Sequence, residues 1–455
     1  MSSKRRAVLR ANQHIIVEFT NERIIPAGGL AVVGALLGKS DFIKKMNRMD
    51  VTPNRSQHQI KNGDILLTYL GMLCMGKPYF EAVHEMDDDK PYYKAALGIT
   101  RSIPSEETLR QRMDDIGDSL RQKLLEENVD ILLVNHIQPS ALPNGLVPVD
   151  IDVTPMDNSK SKKEGVSRTY KGFDGYAPIM AYIGTEGYAI NFELRAGEQH
   201  CQKGTVEFLR ETIRLCKKLT DKPLLIRLDS GNDSIDNVAV LIDQGCYFII
   251  KRNLRRESKD GWFEMAKQYC QNVTSPRDGK TVYVGSDWKT VSSKQFQKEF
   301  TLRAGYEITE RTIDIYGQLL LYPDVEVETW WTNLGDSDQN IIALYHAHGE
   351  CEQYHSEVKS DMDLERLPSG KFETNALILE LGMIAYNILR MIGQGTIGGR
   401  APRQKREVKR RRLRTVISNM IMMACHVTSH ARQLMLGLGR SNTWRHIFMD
   451  FCQAM

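Results

Sequence analysis

The chain has no C-x-x-C pair, no H-E-x-x-H, no phosphate-cradling loop and no long unbroken apolar run. Each absence removes a class of function. Eight cysteines (Cys74, Cys201, Cys216, Cys246, Cys270, Cys351, Cys425 and Cys452) are scattered, which excludes a disulfide frame or zinc ribbon and points to reduced, intracellular thiols. Residues 393–399 are glycine-rich, but no Lys-Ser/Thr pair comes after them, so nucleotide hydrolysis has no support. The most apolar stretch, 376–392, is broken by Glu380, Asn387 and Arg390; it reads as a packed amphipathic helix, not a membrane span. Residues 1–10 are polar and basic with no apolar run behind them, so no secretory signal is expected. Internal repeats are also missing.

What remains is an ordinary globular composition, 41% hydrophobic and 26% charged, in a chain long enough for two or three domains. Net charge is only +4, but positive charge is gathered in runs. Residues 1–140 read as mostly helical, with apolar runs at 29–37 and 60–73, an acidic solvated turn at 85–89, and Ser105 placed to cap a helix through 116. Near residue 147 the pattern changes to strand-like alternation. Strands are expected at 147–154, 178–183, 188–194, 224–229 and 246–251, with helices at 205–219 and 234–243. That order belongs to an α/β fold with a mixed sheet. Residues 255–335 carry several short β-prone stretches and read as a β-rich insertion. A helix from 345 to 359 and a basic helical tail from 400 come next.

Two of these strands end at a carboxylate, Asp152 and Asp229. Tyr345, His348, Glu352 and Lys359 are spaced by three, four and seven residues, which stacks them on one helical stripe. An acid and bases on one stripe do not make an apolar core face. A lone strand-ending aspartate often merely stops its strand and caps the next turn. Two strand-borne carboxylates and one helix-borne carboxylate, however, are the hard oxygen donors that a two-metal phosphoryl-transfer site needs. Asp150, two residues before Asp152, is either a rival ligand or a supporting partner.

The stretch Tyr345-x2-His348-x3-Glu352-x6-Lys359 resembles the Tyr-x2-Arg-x3-Glu-x6-Lys motif of insertion-sequence DDE transposases. Val149-Asp-Ile-Asp-Val-Thr154, Ile226-Arg-Leu-Asp-Ser-Gly231, Trp331-Thr-Asn-Leu334 and Leu364-Glu-Arg-Leu-Pro-Ser-Gly370 extend the likeness to the insertion-sequence thirteen-eighty family of the insertion-sequence four grouping. The resemblance implies a ribonuclease-H-like mixed sheet core interrupted by the insertion, with helical N-terminal and C-terminal regions. It divides the chain into a DNA-binding region (1–140), a core (141–254 and 336–395) around the insertion (255–335), and a basic region (396–455). Asp152, Asp229 and Glu352 would be catalytic and hold two Mg²⁺ ions, with Mn²⁺ as a substitute. The implied partners are double-stranded DNA, as terminal inverted repeats and target, and a second copy in a synaptic homodimer; no membrane is involved. The implied setting is the bacterial cytoplasm, at the nucleoid. His348 departs from the motif's arginine: it can donate to a phosphate but lacks the bidentate fork.

Tyr345, His348, Lys359, Arg227, Trp331, Arg411 and Arg412 are the expected DNA contacts. Trp331, or its neighbour Trp330, would stack on an unpaired base, although paired tryptophans in a strand are more often core and edge. The basic runs Lys160–Lys171, Lys251–Arg256 and 400–414 are read as phosphate-facing rather than as mere solvated faces. Zinc is the rival for His346, His348, Cys351, Glu352 and His355, but the paired-histidine spacing of a zinc hydrolase is missing. A nuclease without strand transfer, or a non-catalytic DNA-binding protein, would account for the same residues.

Overall fold

Short β-branched runs near the N-terminus form strands, so the first region is not wholly helical. β1 (Arg6–Arg10) and β2 (His14–Glu18) pair as an antiparallel hairpin. β3 (Ile24–Ile25) joins a sheet that only the far end of the chain completes. The computed structural model describes residues 6–10, 12–49, 58–255, 257–398, 408–431 and 433–455. Helices Leu30–Gly38, Phe42–Arg48, Asn62–Cys74, Lys90–Leu97, Glu106–Ile116 and Arg121–Val134 come next. Ser105 Oγ accepts from the Thr108 amide at 3.4 Å, capping its helix as expected. The acidic segment is not simply solvated: Asp89 is buried and takes two hydrogen bonds from Arg23, at 2.9 and 2.8 Å.

The central sheet has nine strands. Its chain order is β4 (Val147–Val153), then β5 (Met156–Asp157), β6 (Ser167–Arg168) and β7 (Asp174–Tyr176), which form a small side sheet, then β8 (Ile179–Ile183), β9 (Tyr188–Glu193), β10 (Leu224–Leu228) and β11 (Tyr247–Lys251). β12 (Asn272–Arg277), β13 (Lys280–Ser293), β14 (Lys298–Ile313) and β15 (Leu319–Thr332) complete it. Spatial order is β12-β13-β14-β15-β11-β10-β4-β8-β9. β10 lies parallel to both β4 and β11, reached through helices Thr205–Leu219 and Ile235–Asp243; β8 and β15 are antiparallel to their neighbours β4 and β11. The parallel strands β4, β10 and β11 therefore end on one edge, where open α/β sheets place chemistry. The insertion differs from its expected short stretches. Its strands reach 16 residues, it carries a helix, Lys259–Tyr269, and it extends the same sheet.

Helix Phe372–Gly395 passes the length and apolarity test for a membrane span, yet all of that apolar window is buried. It is apolar on every side because it is packed on every side, not amphipathic as its interruptions imply. The three interrupting polar residues are its docking points: Arg121 donates to Glu380 at 2.9 Å, Asn387 to Asn128 at 2.8 Å, and Arg390 to Tyr386 Oη at 2.7 Å and to Glu357.

The tail is not simply helical either. β16 (Cys425–His430) and β17 (Gln433–Leu438) form a hairpin, and β16 pairs with β3. The junction is tight: Gly28 and Gly29 donate to the Met423 and Ile421 carbonyls at 3.0 and 3.1 Å, and a Cβ on Gly29 would lie 1.8 Å from Met420 O.

Candidate active site

Along β4, Asp150 and Asp152 point to one face while Val149, Ile151 and Val153 point to the other. Parallel pairing sets Arg227 of β10 opposite Asp150. Arg227 grips that carboxylate with two hydrogen bonds, of 2.6 and 2.7 Å, and donates to Leu344 O at 2.8 Å. His348 Nδ1 adds a third contact to Asp150 at 2.8 Å. Burial alone raises the Asp150 pKa, but the charge of Arg227 and the His348 hydrogen bond outweigh it and hold the group ionised. Asp150 is thus fully engaged, with both carboxylate oxygens bound by Arg227.

Asp152 is half-buried. Its Oδ1 accepts from the Val153 amide at 2.7 Å. Burial first, and the charge of Asp229 second, push its pKa up to about 7. Asp229 comes directly after β10 and accepts from Asn232 at 2.8 Å. Two strand ends therefore bring together like charges that repel, a pairing that a divalent cation relieves. Glu352 stands exposed on helix Glu350–Ser356 and lines the same cleft of about 390 Å³ as Asp152, with Thr154, Tyr170, Lys171, His355 and Lys359. Hard oxygen donors on three rigid elements fit divalent cations.

The triad is not drawn to ligand spacing, however. Among the described residues, the only group whose ligand atoms lie within 4.8 Å of one another is Glu307, Glu328 and His346. There Glu307 and Glu328 face each other across β14 and β15, and Lys251 already neutralises Glu328.

The expected single helix from 345 to 359 is broken. Helix Asp338–His346 ends at Tyr345 and His346, a 3₁₀ turn Ala347–Gly349 carries His348, and after Glu350–Ser356 a π turn, Glu357–Asp361, carries Lys359. The winding changes locally, but Tyr345 still meets His348, and Glu352 and Lys359 still line one cleft. Tyr345 packs its ring 5.7 Å from Trp330 and 5.8 Å from His348. Lys359 donates to Pro155 O at 2.7 Å and lies 3.2 Å from Glu365. Burial lowers the pKa of His348, but the hydrogen bond and charge of Asp150 raise it by more, so the imidazole favours its cationic form. That partly replaces the arginine charge the motif carries. His355 is the opposite case: burial, then the charges of His348 and Lys359, hold its pKa at about 3. Its Nδ1 lies 3.8 Å from Asp152 and its Nε2 3.5 Å from Cys351 Sγ. With His348 on Asp150 and His355 on Cys351, the histidines are packing and hydrogen-bonding groups rather than a zinc set.

Three expected DNA contacts are corrected. Arg227 is buried and committed to Asp150. Arg411 is buried, donating to Thr396 Oγ1 and O at 2.7 and 2.8 Å. Trp331 is buried: Arg252 lies 4.0 Å above its ring and its Nε1 donates to Asp233 at 3.0 Å, while Trp330 is wholly enclosed. Arg412 is half-exposed, bound to Asp361 and to Ser356 of the cleft rim. Lys160, Lys162 and Lys171 are exposed on the loops of the side sheet, and Arg168 is exposed at the end of β6. Residues 400–407 and Arg256 lie outside the described residues. Tyr170 was missed by sequence reasoning: its hydroxyl donates to Val153 O at 3.2 Å across the cleft wall, and only its place next to Lys171 in a basic run signalled it.

A cryo-EM structure of a piggyBac transposase synaptic complex with hairpin DNA is similar at 11% sequence identity and a TM-score of 0.42, over 92% of this chain and 83% of that one. No curated protein matches. Residues 8–455 match the family described as transposase DDE domain, group 1, with the acid pair and Glu352 cleft just described inside that span. The chain belongs to this DDE transposase family and is a DNA-cleaving transposase.

Proposed function

We propose that the protein cuts at the ends of an insertion sequence and joins the freed 3′-hydroxyl to target DNA, with Asp152, Asp229 and Glu352 as its metal-binding catalytic triad. The observation that carries this reading is the pair of carboxylates at neighbouring strand ends, where burial and then the charge of Asp229 raise Asp152 to about 7, in a cleft that also holds Glu352. The strand order β9-β8-β4-β10-β11, with β8 antiparallel, supports reading this part as a ribonuclease-H-like core. The finer kinship proposed is the insertion-sequence thirteen-eighty family.

Two Mg²⁺ ions, when bound by the three carboxylates, supply Lewis acidity that lowers the pKa of a water and steadies the departing 3′ oxygen. The chain's own residues do the rest. Arg227 holds Asp150 ionised, Asp150 fixes the His348 ring, and cationic His348 lowers the charge density around Asp152. Lys171 and Lys359 at the cleft wall neutralise phosphates of the bound strand, and Arg412 does so at the rim. Neutral His355 lines the cleft without adding a positive charge that would repel the cations. Inverted-repeat and target duplexes, and a homodimer that pairs two element ends, complete the reading; the regions 1–140 and 396–455 are assigned to these contacts.

The test uses a plasmid-borne element and a pre-cut end with a separate target plasmid. Cleavage and joining that both vanish in Asp229→Ala and Glu352→Ala, with DNA binding retained, support the proposal. Cleavage without joining in the native protein reduces it to a nuclease, and cleavage surviving both substitutions removes the site assignment.

A further inference from the structure

The β1–β2 hairpin stands free of the body. Every described residue from Arg6 to Ile24 is exposed, and the segment is anchored at Arg23, by Asp89 and Ser429. Register puts Leu9 against Ile15 and Ala7 against Val17 on one face, with no polar residue among them. The other face pairs Val8 with Ile16 between Arg6–Glu18 and Arg10–His14. Leu9, Ile15, Val17 and Phe19 are 50–76% exposed. A two-stranded hairpin with an open apolar face is at best marginally stable in water, so this face needs a cover.

A second open apolar surface lies at the tip of the β14–β15 hairpin. Ile315, Tyr316, Leu319, Leu321 and Tyr322 are 79–90% exposed. The two surfaces are opposite in charge. The arm carries Arg6 and Arg10 against Glu18, and Lys4 and Arg5 precede it in the sequence. The tip carries Asp314, Asp324 and Glu326, with Arg311 bridging the last two and Lys280 of β13 opposite Arg311. Within one chain both remain exposed, so they do not cover each other. An acidic tip also disfavours a DNA phosphate as its occupant.

We propose that the β1–β2 arm of one copy docks on the β14–β15 tip of a second copy, and that the exchange is mutual. Apolar faces meet, basic arm meets acidic tip, and a two-fold axis closes the pair with two identical contacts. The segment from Phe19 to Arg23, between the arm and its anchor, reaches about 17 Å when extended. Each contact is small, so the pair forms because both contacts close together. The inference rests on the two-copy reading of the transposase for its purpose, but its own test is separate from the triad test.

Two full-length variants change only exposed side chains: Leu9→Asp with Ile15→Asp on the arm, and Leu319→Lys with Leu321→Lys on the tip. Mass is measured by sedimentation over a concentration series, without DNA. The native chain is expected to dimerise. Each variant alone is expected to need at least tenfold more protein to associate, and an equimolar mixture to recover partly, because a mixed pair keeps one intact arm–tip contact. Circular dichroism that matches the native spectrum shows that the variants fold. A native chain that stays monomeric overturns the proposal. So does a tip variant that dimerises normally, which would indicate arm-to-arm pairing, or an arm variant that loses only affinity for a DNA duplex. Asp229→Ala and Glu352→Ala leave the mass unchanged, so a failed cleavage site and a failed docking surface give different results.

Discussion

Replacing Asp152 by asparagine should stabilise the metal-free protein, and by an amount that grows with pH. In the folded chain this carboxyl titrates at about 7, against 3.8 for an ordinary aspartate. Between those values the unfolded chain has lost its proton while the folded chain keeps it, so native stability falls as pH rises through the window. Roughly three units at ~1.4 kcal/mol each give a ceiling of about 4 kcal/mol. The side chain is 24% exposed, so solvent screening brings the working figure to about 2 kcal/mol. Asparagine keeps the shape and has no charge to repel Asp229. The native and Asp152→Asn proteins should therefore melt together at pH 4, and the variant a few degrees higher at pH 8. Mg²⁺ at 100 times its Kd adds about 2.7 kcal/mol to the native protein at pH 8 and much less to the variant, closing the gap. The assay is thermal unfolding from pH 4 to 8, with and without the metal. A melting difference that stays flat with pH, or a native protein that gains on the variant as pH rises, refutes the like-charge pair.

Glu352→Gln should lower DNA cleavage by on the order of a thousandfold, about 4 kcal/mol of barrier, while gel-shift affinity without metal stays within a few-fold. Arg227→Ala strands Asp150 with only His348 beside it and should cost about 3–5 kcal/mol, read from denaturant midpoints; a neutral result would show that the buried pair is not closed. The His355 imidazole should stay neutral down to about pH 3 in ¹⁵N spectra. Because the unfolded chain protonates this ring near 6.5 and the folded chain does not, its contribution to stability is lost as pH drops from about 6.5 toward 3. Gly187→Ala should be strongly destabilising, since φ is +70° and the new Cβ would lie 2.3 Å from the Tyr354 ring, on the helix that carries Glu352; thermal melts check it.

The catalytic core was legible because its elements announce themselves locally. Alternation in 147–153 and the apolar block 224–228 needed no distant partner to read as strands, and their terminal aspartates marked one edge of the sheet. What stayed hidden depends on partners far away in the chain. Arg227 looks free in sequence, and only the parallel register of β10 with β4 shows that Asp150 consumes it. Ile24 and Ile25 are too short a run to read as a strand until β16 lies beside them. The helix through His348 keeps its apparent period in sequence, which does not show the 3₁₀ and π turns at Ala347–Gly349 and Glu357–Asp361. Helix Phe372–Gly395 looked one-sided because its polar residues were counted as a solvent face, when each is itself buried and meets a partner.

The seam between β3 and β16 sets a timetable for synthesis. Arg23 and Ser429 sit 406 residues apart in the chain yet share a hydrogen bond, so the segment around Ile24 waits for residues made about 400 positions later before its own sheet exists. A product cut short before Met420 would carry an open strand edge and leave the Gly28 and Gly29 amides without their carbonyl partners, and should be cleared as unfinished rather than persist as a partly working enzyme.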